Sequence, residues 1–312
     1  MLLQSRMILL LSKVMTKVEK AILKTLAFFD IFKRPLTLEE LWHNLYHEKT
    51  SKIQVLFALR ALQKKKIVVE KDSYFLLFNS QKNFTIFEKQ RDLCQKRIKK
   101  TQRIVRLLRW VPFVKNISII NSLAFGASNI NSDIDILLIT KKNRLWTARA
   151  FVVGLLEIVG QNKNKWYQAN KFCLGFAITT EKLNLENLRN SEDIYFTYWL
   201  AMLEPVLNRK IYQKFILENN WIIKELPNLQ EKNIETVLEK KSKLEKILSG
   251  QFGEKLENFL GNMQIKKIWG LKESHRAGAS VIADAQMMKL HAYDRREFYQ
   301  KKWQEKIKKL KI

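Results

Sequence analysis

Asn121-Ser122-Leu123-Ala124-Phe125-Gly126-Ala127-Ser128-Asn129-Ile130-Asn131-Ser132-Asp133-Ile134-Asp135 is the most informative stretch of this 312-residue chain. β-favouring runs stand on either side, at residues 116–121 and 134–139, and Gly, Ala, Ser and Asn fill the interval, so the pattern predicts strand, turn and strand. Residues two apart on a strand leave the same face, which puts the carboxylates of Asp133 and Asp135 about 6–7 Å apart at the backbone. Their oxygens can converge on one cation. Mg²⁺ takes such hard oxygens and keeps its other positions for water and phosphate. The turn after the first strand brings Ser122 and backbone N–H groups to the start of a short helix, a setting that suits a triphosphate.

These residues resemble the DNA polymerase beta superfamily, and especially its minimal nucleotidyltransferases, whose pattern is Gly-Ser, a ten-residue interval, then Asp-hydrophobic-Asp. Asn121-Ser122 falls at the Gly-Ser position, Gly126 matches an internal small residue, and Ser132-Asp133-Ile134-Asp135 matches the Ser-Asp-hydrophobic-Asp ending. The resemblance covers about residues 112–180. It implies a mixed β-sheet, metal and catalytic roles for Asp133 and Asp135, and nucleotide contacts by Asn121, Ser122 and Ser132. It also implies two Mg²⁺ ions and an NTP, with the NMP moving to a hydroxyl on an RNA, a protein or a small molecule.

The sequence departs from that pattern twice. Asn121 stands where the family has Gly, though Asn enters the left-handed region more readily than other residues with a Cβ. The family's third carboxylate comes from a neighbouring strand, and the matching run at residues 171–178 has no acid. Glu181, just beyond it, is the candidate. Loss of this ligand would leave a nucleotide binder or a weakened enzyme. Arg144 and Arg149 open the apolar helix that follows the second strand, where they either pair at the surface or meet a phosphate.

Upstream, Ile22, Leu23, Leu26, Ala27 and Ile31 recur at helical spacing until Pro35, and Thr37 with Glu40 forms a capping box for a second helix. A third helix is expected over residues 51–64. Ile67-Val68-Val69 and Tyr74-Phe75-Leu76-Leu77, separated by Glu70-Lys71-Asp72-Ser73, read as a hairpin. Three helices and a hairpin resemble a winged helix over residues 17–78, which would make Lys52, Gln54 and Arg60 the nucleic-acid-facing residues of the third helix. The same arrangement also serves protein contacts.

The expected class is therefore α+β, in four parts: a winged-helix domain at 17–80, a basic connecting helix at 81–111, a nucleotidyltransferase-like domain with helical extension at 112–226, and a helical accessory region at 227–312. Aromatic residues 195–199 are expected in the core. In the accessory region, His275 and His291 match no zinc spacing, and Asp294 is expected to pair with neighbouring Arg.

With 57 Lys and Arg against 30 Asp and Glu, the net charge of +27 favours polyanions, DNA or RNA among them. The excess is spread along the chain, which equally serves solubility. Two distant cysteines, Cys94 and Cys173, indicate neither a disulfide framework nor a zinc site. The apolar runs at residues 7–11 and 150–159 fall short of the ~20 residues a membrane span needs. A cytoplasmic protein is expected, with no reading of its oligomeric state. The competing function is a non-catalytic DNA-binding regulator whose degenerate domain senses nucleotide; an RNA-binding scaffold rests on charge alone.

Overall fold

The computed structural model describes residues 15–163, 168–230, 235–240, 243–291 and 293–312; the opening apolar run at 7–11 lies outside them. The chain divides into two compact units. The first takes the described residues up to 88 together with 221–230 and 298–312, and the second takes 89–220 and 231–297.

The first unit opens with helix α1 (Lys17–Ile31), started by a capping box in which the Thr16 hydroxyl accepts from Glu19 N and the Glu19 carboxylate accepts from Thr16 N. Its face of Ile22, Leu23, Leu26 and Phe29 is fully buried or nearly so. Strand β1 (Leu36–Thr37) leads into α2 (Leu38–His43), whose Thr37–Glu40 capping box is present as the sequence predicts. Helix α3 (Lys52–Lys64) buries Val55, Leu59 and Leu62 at helical spacing. The hairpin of β2 (Val68–Lys71) and β3 (Tyr74–Leu77) turns at Asp72 and Ser73, both with positive φ (49° and 66°). Such a two-residue turn matches the twist of the paired strands. The three strands form an antiparallel sheet in the order β1-β3-β2.

Helix α4 (Asn83–Leu108) carries the chain from one unit into the other. It is more than a solvated basic connector. Cys94, Arg97, Thr101, Val105 and Leu108 recur every three to four residues and are all buried.

The second unit is built on a six-stranded mixed sheet. Its strands are β4 (Val114–Ile119), β5 (Ile134–Thr140), β6 (Phe172–Thr179), β7 (Glu204–Leu207), β8 (Ser280–Ala283) and β9 (Met287–His291), in the order β7-β4-β5-β6-β9-β8. The β5–β6 pair is parallel and the other pairs are antiparallel. A short helix α5 (Asn121–Ala124) follows β4, α6 (Leu145–Ile158) crosses over between β5 and β6, and α7 (Ile194–Met202) precedes β7. Ile117, Ile134, Ile136, Leu137, Phe172 and Ile178 fill the core. So does α7, where Phe196 and Trp199 stack with ring centroids 5.5 Å apart, in keeping with a packing role for this aromatic run.

Later helices of the chain are α8 (Arg209–Glu218), α9 (Ile222–Glu225), α10 (Lys243–Ile247), α11 (Gln251–Trp269) and α12 (Arg296–Leu310). Helix α11 approaches α6 closely at Gly261, where a Cβ would stand 2.9 Å from Trp146 Cδ1. The α11 carboxylate of Glu257 accepts from Trp146 N (2.9 Å) and Thr147 N (2.7 Å), satisfying amides in the first turn of α6.

The expectation of an all-helical region over 227–312 is corrected here. Residues 280–291 form a hairpin that pairs with β6, because Val281, Ile282, Met287 and Met288 find an open strand edge distant in sequence. Asp284 shapes its turn by accepting from Gln286 N and Met287 N. Residues 298–312 belong with the first unit instead, where Trp303 Nε1 donates to Lys24 O. Among the described residues no helix is long and apolar enough to cross a membrane.

Candidate metal centre

Three chain segments meet at the leading end of β5. The end of β4 lies beside the start of β5, with Ile120 N donating to Asp135 O, so α5 begins next to Asp135. On the other side β6 runs parallel, and its Cys173 pairs in register with Asp135. One oxygen each of Asp133 and Asp135 and the sulfur of Cys173 all lie within 4.8 Å of one another. Among the described residues this is the one group of three such donors.

Asn121 adopts the left-handed conformation (φ 55°), which glycine enters without steric cost and Asn more readily than other residues with a Cβ. Trp199 Nε1 donates to Asn121 Oδ1 at 2.9 Å, and the Asn121 side chain faces the Asp135 carboxylate and favours its charged form. Burial, and then the neighbouring charge of Asp133, raise the proton affinity of Asp135, while Asn121, Lys163 and the Cys173 thiol oppose the rise. Burial also pushes the Cys173 thiol up to about 12, and the Asp135 charge adds to the effect.

Lys163 was not legible in the sequence. It sits where the chain returns toward β6, its backbone N donating to Phe172 O, and its Nζ stands 2.5 Å from Asp133 Oδ2 and 4.0 Å from Cys173 Sγ. Arg97, one of the basic residues of α4, adds a second cation. Buried to 3 % exposure, it donates to the Ser128 hydroxyl and to Ile130 O, fixing the loop that leads to Asp133, whose charge it faces. Three residues on, Lys100 donates to Asn170 O. Its pKa falls to about 8 through burial and the nearby charges of Lys171 and Arg97. Lys163 and Arg97 thus set two positive charges toward Asp133.

The remaining expected residues divide. Ser122 lies in the short helix α5 and Ser132 in the loop just before β5, both half-buried. The Ser132 hydroxyl accepts from Asn129 N and thereby shapes the turn. Glu181 is not brought to the acids. It lies past the end of β6, paired with Lys142 at 3.3 Å, whereas Asp135 pairs at the start of that strand. Six residues of strand rise place it roughly 20 Å away. Arg144 is held on Asn143 O and over the Phe113 ring, and Arg149 donates to Gln264 Oε1.

Lys52, Gln54 and Arg60 all lie in the first unit with their side chains engaged. Lys52 pairs with Glu39, Gln54 Oε1 accepts from Ser51 N as part of a capping box, and Arg60 pairs with Glu70 at 2.9 Å. Between them Ile53 and Phe57 are 67 % and 72 % exposed.

No protein-family model, curated protein or solved structure matches this chain. Its chemistry is therefore read from the donors. Two carboxylates and a thiol within reach of one another fit a single divalent cation. They fit a pair of all-oxygen Mg²⁺ sites poorly, because the third donor is sulfur and one carboxylate already carries an ammonium. Cys173 could have been found by aligning β5 and β6 as parallel neighbours, and Arg97 belongs to a basic helix that the sequence shows; nothing in the sequence marks Lys163.

Proposed function

We propose that the second unit is a nucleotidyltransferase-fold domain that takes a nucleoside triphosphate and moves its NMP to a hydroxyl acceptor. The observation that carries this reading is the convergence of Asp133 and Asp135 beside the left-handed turn at Asn121. A divalent cation held by the two carboxylates would offset the charge of the triphosphate. The protein's own residues do the rest. Trp199 fixes Asn121 beside Asp135, and the charges of Arg97 and Lys163 draw in the phosphates. In the transfer, the acceptor oxygen bonds to the α-phosphorus, the bond from that phosphorus to the β-phosphate bridging oxygen breaks, and pyrophosphate leaves as the hydroxyl proton is lost.

The test is covalent labelling. Full-length protein with α-³²P-labelled NTPs, divalent cations and a mixture of RNA and protein acceptors transfers label, and Asp133→Asn with Asp135→Asn stops it while the protein stays folded. Label that persists in the double variant, or wild-type protein that binds no NTP, would sink the proposal.

A second reading is favoured by the ammonium of Lys163 on Asp133 and by the lack of an acid on β6. In it the domain binds nucleotide without turnover, and the first unit acts as a winged helix on duplex DNA. Labelled NTP that is retained but released unchanged on denaturation, with DNA retention indifferent to the two Asp substitutions, supports this reading.

A further inference from the structure

We infer that the Asp133–Asp135–Cys173 cluster is a centre for one thiophilic divalent cation of the zinc class, and that Lys163 stands in place of a second ion. The inference rests on the cluster being the cation-binding part of the nucleotide site. Its grounds are the chemistry and placement of the donors.

Asp133 and Asp135 come from the leading end of β5 and Cys173 from the parallel strand β6, so the sulfur is fixed by strand register and not by a flexible loop. The supports behind the donors are formed as well. Asn121 beside Asp135 is locked by the Trp199 indole, and supports of this kind hold the surroundings of metal ligands before the ion arrives. Carboxylate oxygen with thiolate sulfur is a donor set that zinc-class ions accept and Mg²⁺ does not, since Mg²⁺ demands hard oxygens in near-octahedral array. Three protein donors leave one position of a tetrahedron open, which a phosphate oxygen can fill. On coordination the thiol gives its proton to solvent.

The place of a second ion is taken. Lys163 Nζ lies 2.5 Å from Asp133 Oδ2 and 4.0 Å from the sulfur, so one fixed positive charge is built into the cluster. A further dication against that ammonium would meet repulsion in a half-buried setting.

The experiment uses untagged, metal-stripped, full-length protein titrated with Co²⁺ as the optical stand-in for Zn²⁺, and with Mg²⁺. The expected result is one Co²⁺ per chain by metal analysis, with a thiolate-to-cobalt charge-transfer absorption that Zn²⁺ abolishes and excess Mg²⁺ does not. Cys173→Ser removes the absorption and raises the Co²⁺ Kd more than about 100-fold, beyond what loss of a supporting partner costs, whereas Cys94→Ser keeps it. Cys173→Asp loses the absorption and gains Mg²⁺ binding, and Lys163→Met admits a second equivalent of metal. Circular dichroism melts establish that each variant folds.

Two ions bound to the wild type, Mg²⁺ displacing Co²⁺ at equal concentration, Co²⁺ bound without the thiolate absorption, or no ion bound would each overturn the inference. A fluorescent NTP analogue in the same samples separates the two claims. Nucleotide bound with Mg²⁺ alone leaves the transferase and removes the zinc-class centre, while a thiolate-bound ion in a protein that takes no nucleotide removes the transferase.

Discussion

Asn121 shows how much one residue can be asked to hold. It sits in a backbone conformation that costs any side chain with a Cβ, and the bond from Trp199 offsets that cost. Trp199 is 3 % exposed, so its N–H has no water to fall back on. Trp199→Phe leaves the Asn121 carbonyl without its donor. We expect a loss of about 1–2 kcal/mol in stability and a roughly 10–100-fold weaker hold on the cation, read by thermal unfolding and by metal titration. A variant whose metal affinity is unchanged would show that Asn121 is fixed by other means. At this scale the spacing of Asp133 and Asp135 is legible in the sequence, since period-two geometry alone puts both on one face. Cys173 lies on the run expected beside their strand, but a lone thiol carries no ligand signal where the pattern calls for an acid.

Among the elements, the β8–β9 hairpin carries a titration of its own. His291 on β9 is packed at the edge of the Phe176 ring, among Lys289, Asp294 and Arg296. Burial and the two cations depress its pKa from the ordinary 6.5 to about 4. A depressed histidine is neutral in the fold, while the unfolded chain gains a proton below its own higher pKa. The stability is therefore complete above pH 6.5 and drains away as the pH falls to about 4. After allowance for partial exposure, the loss is on the order of 2 kcal/mol. Urea unfolding across this interval should show it, and His291→Phe should flatten the profile; a wild type of constant stability over the same interval would contradict the assignment. The capping boxes at Thr37 and Ser51 and the turn at Asp72-Ser73 involve neighbours in sequence, so local residue types suffice to read them or come close. The hairpin at 280–291 was hidden because the strand it joins lies about a hundred residues earlier.

Over the whole molecule, a charge of +27 makes some retention on any polyanion the default. What distinguishes a reading helix from a diffuse attraction is which charges are free to neutralise phosphates. Lys52 and Arg60 are already paired with Glu39 and Glu70, and Ile53 and Phe57 dominate the outer face of α3. Lys52→Glu with Arg60→Glu should therefore change the slope of log affinity for duplex DNA against log salt by less than about one unit, measured by fluorescence anisotropy over a salt series. A fall of about two units, with loss of sequence preference, would return α3 to the role of a groove reader.

Strand β6 borders β5 on one side and β9 on the other, and β9 spans Met287–His291, far along the sequence from β6. During synthesis, the strand bearing Cys173 thus waits with a bare edge while more than a hundred further residues are translated. A nascent chain halted between the two offers an open edge to any other strand it meets, so early release from the ribosome should yield aggregates and not a smaller folded protein.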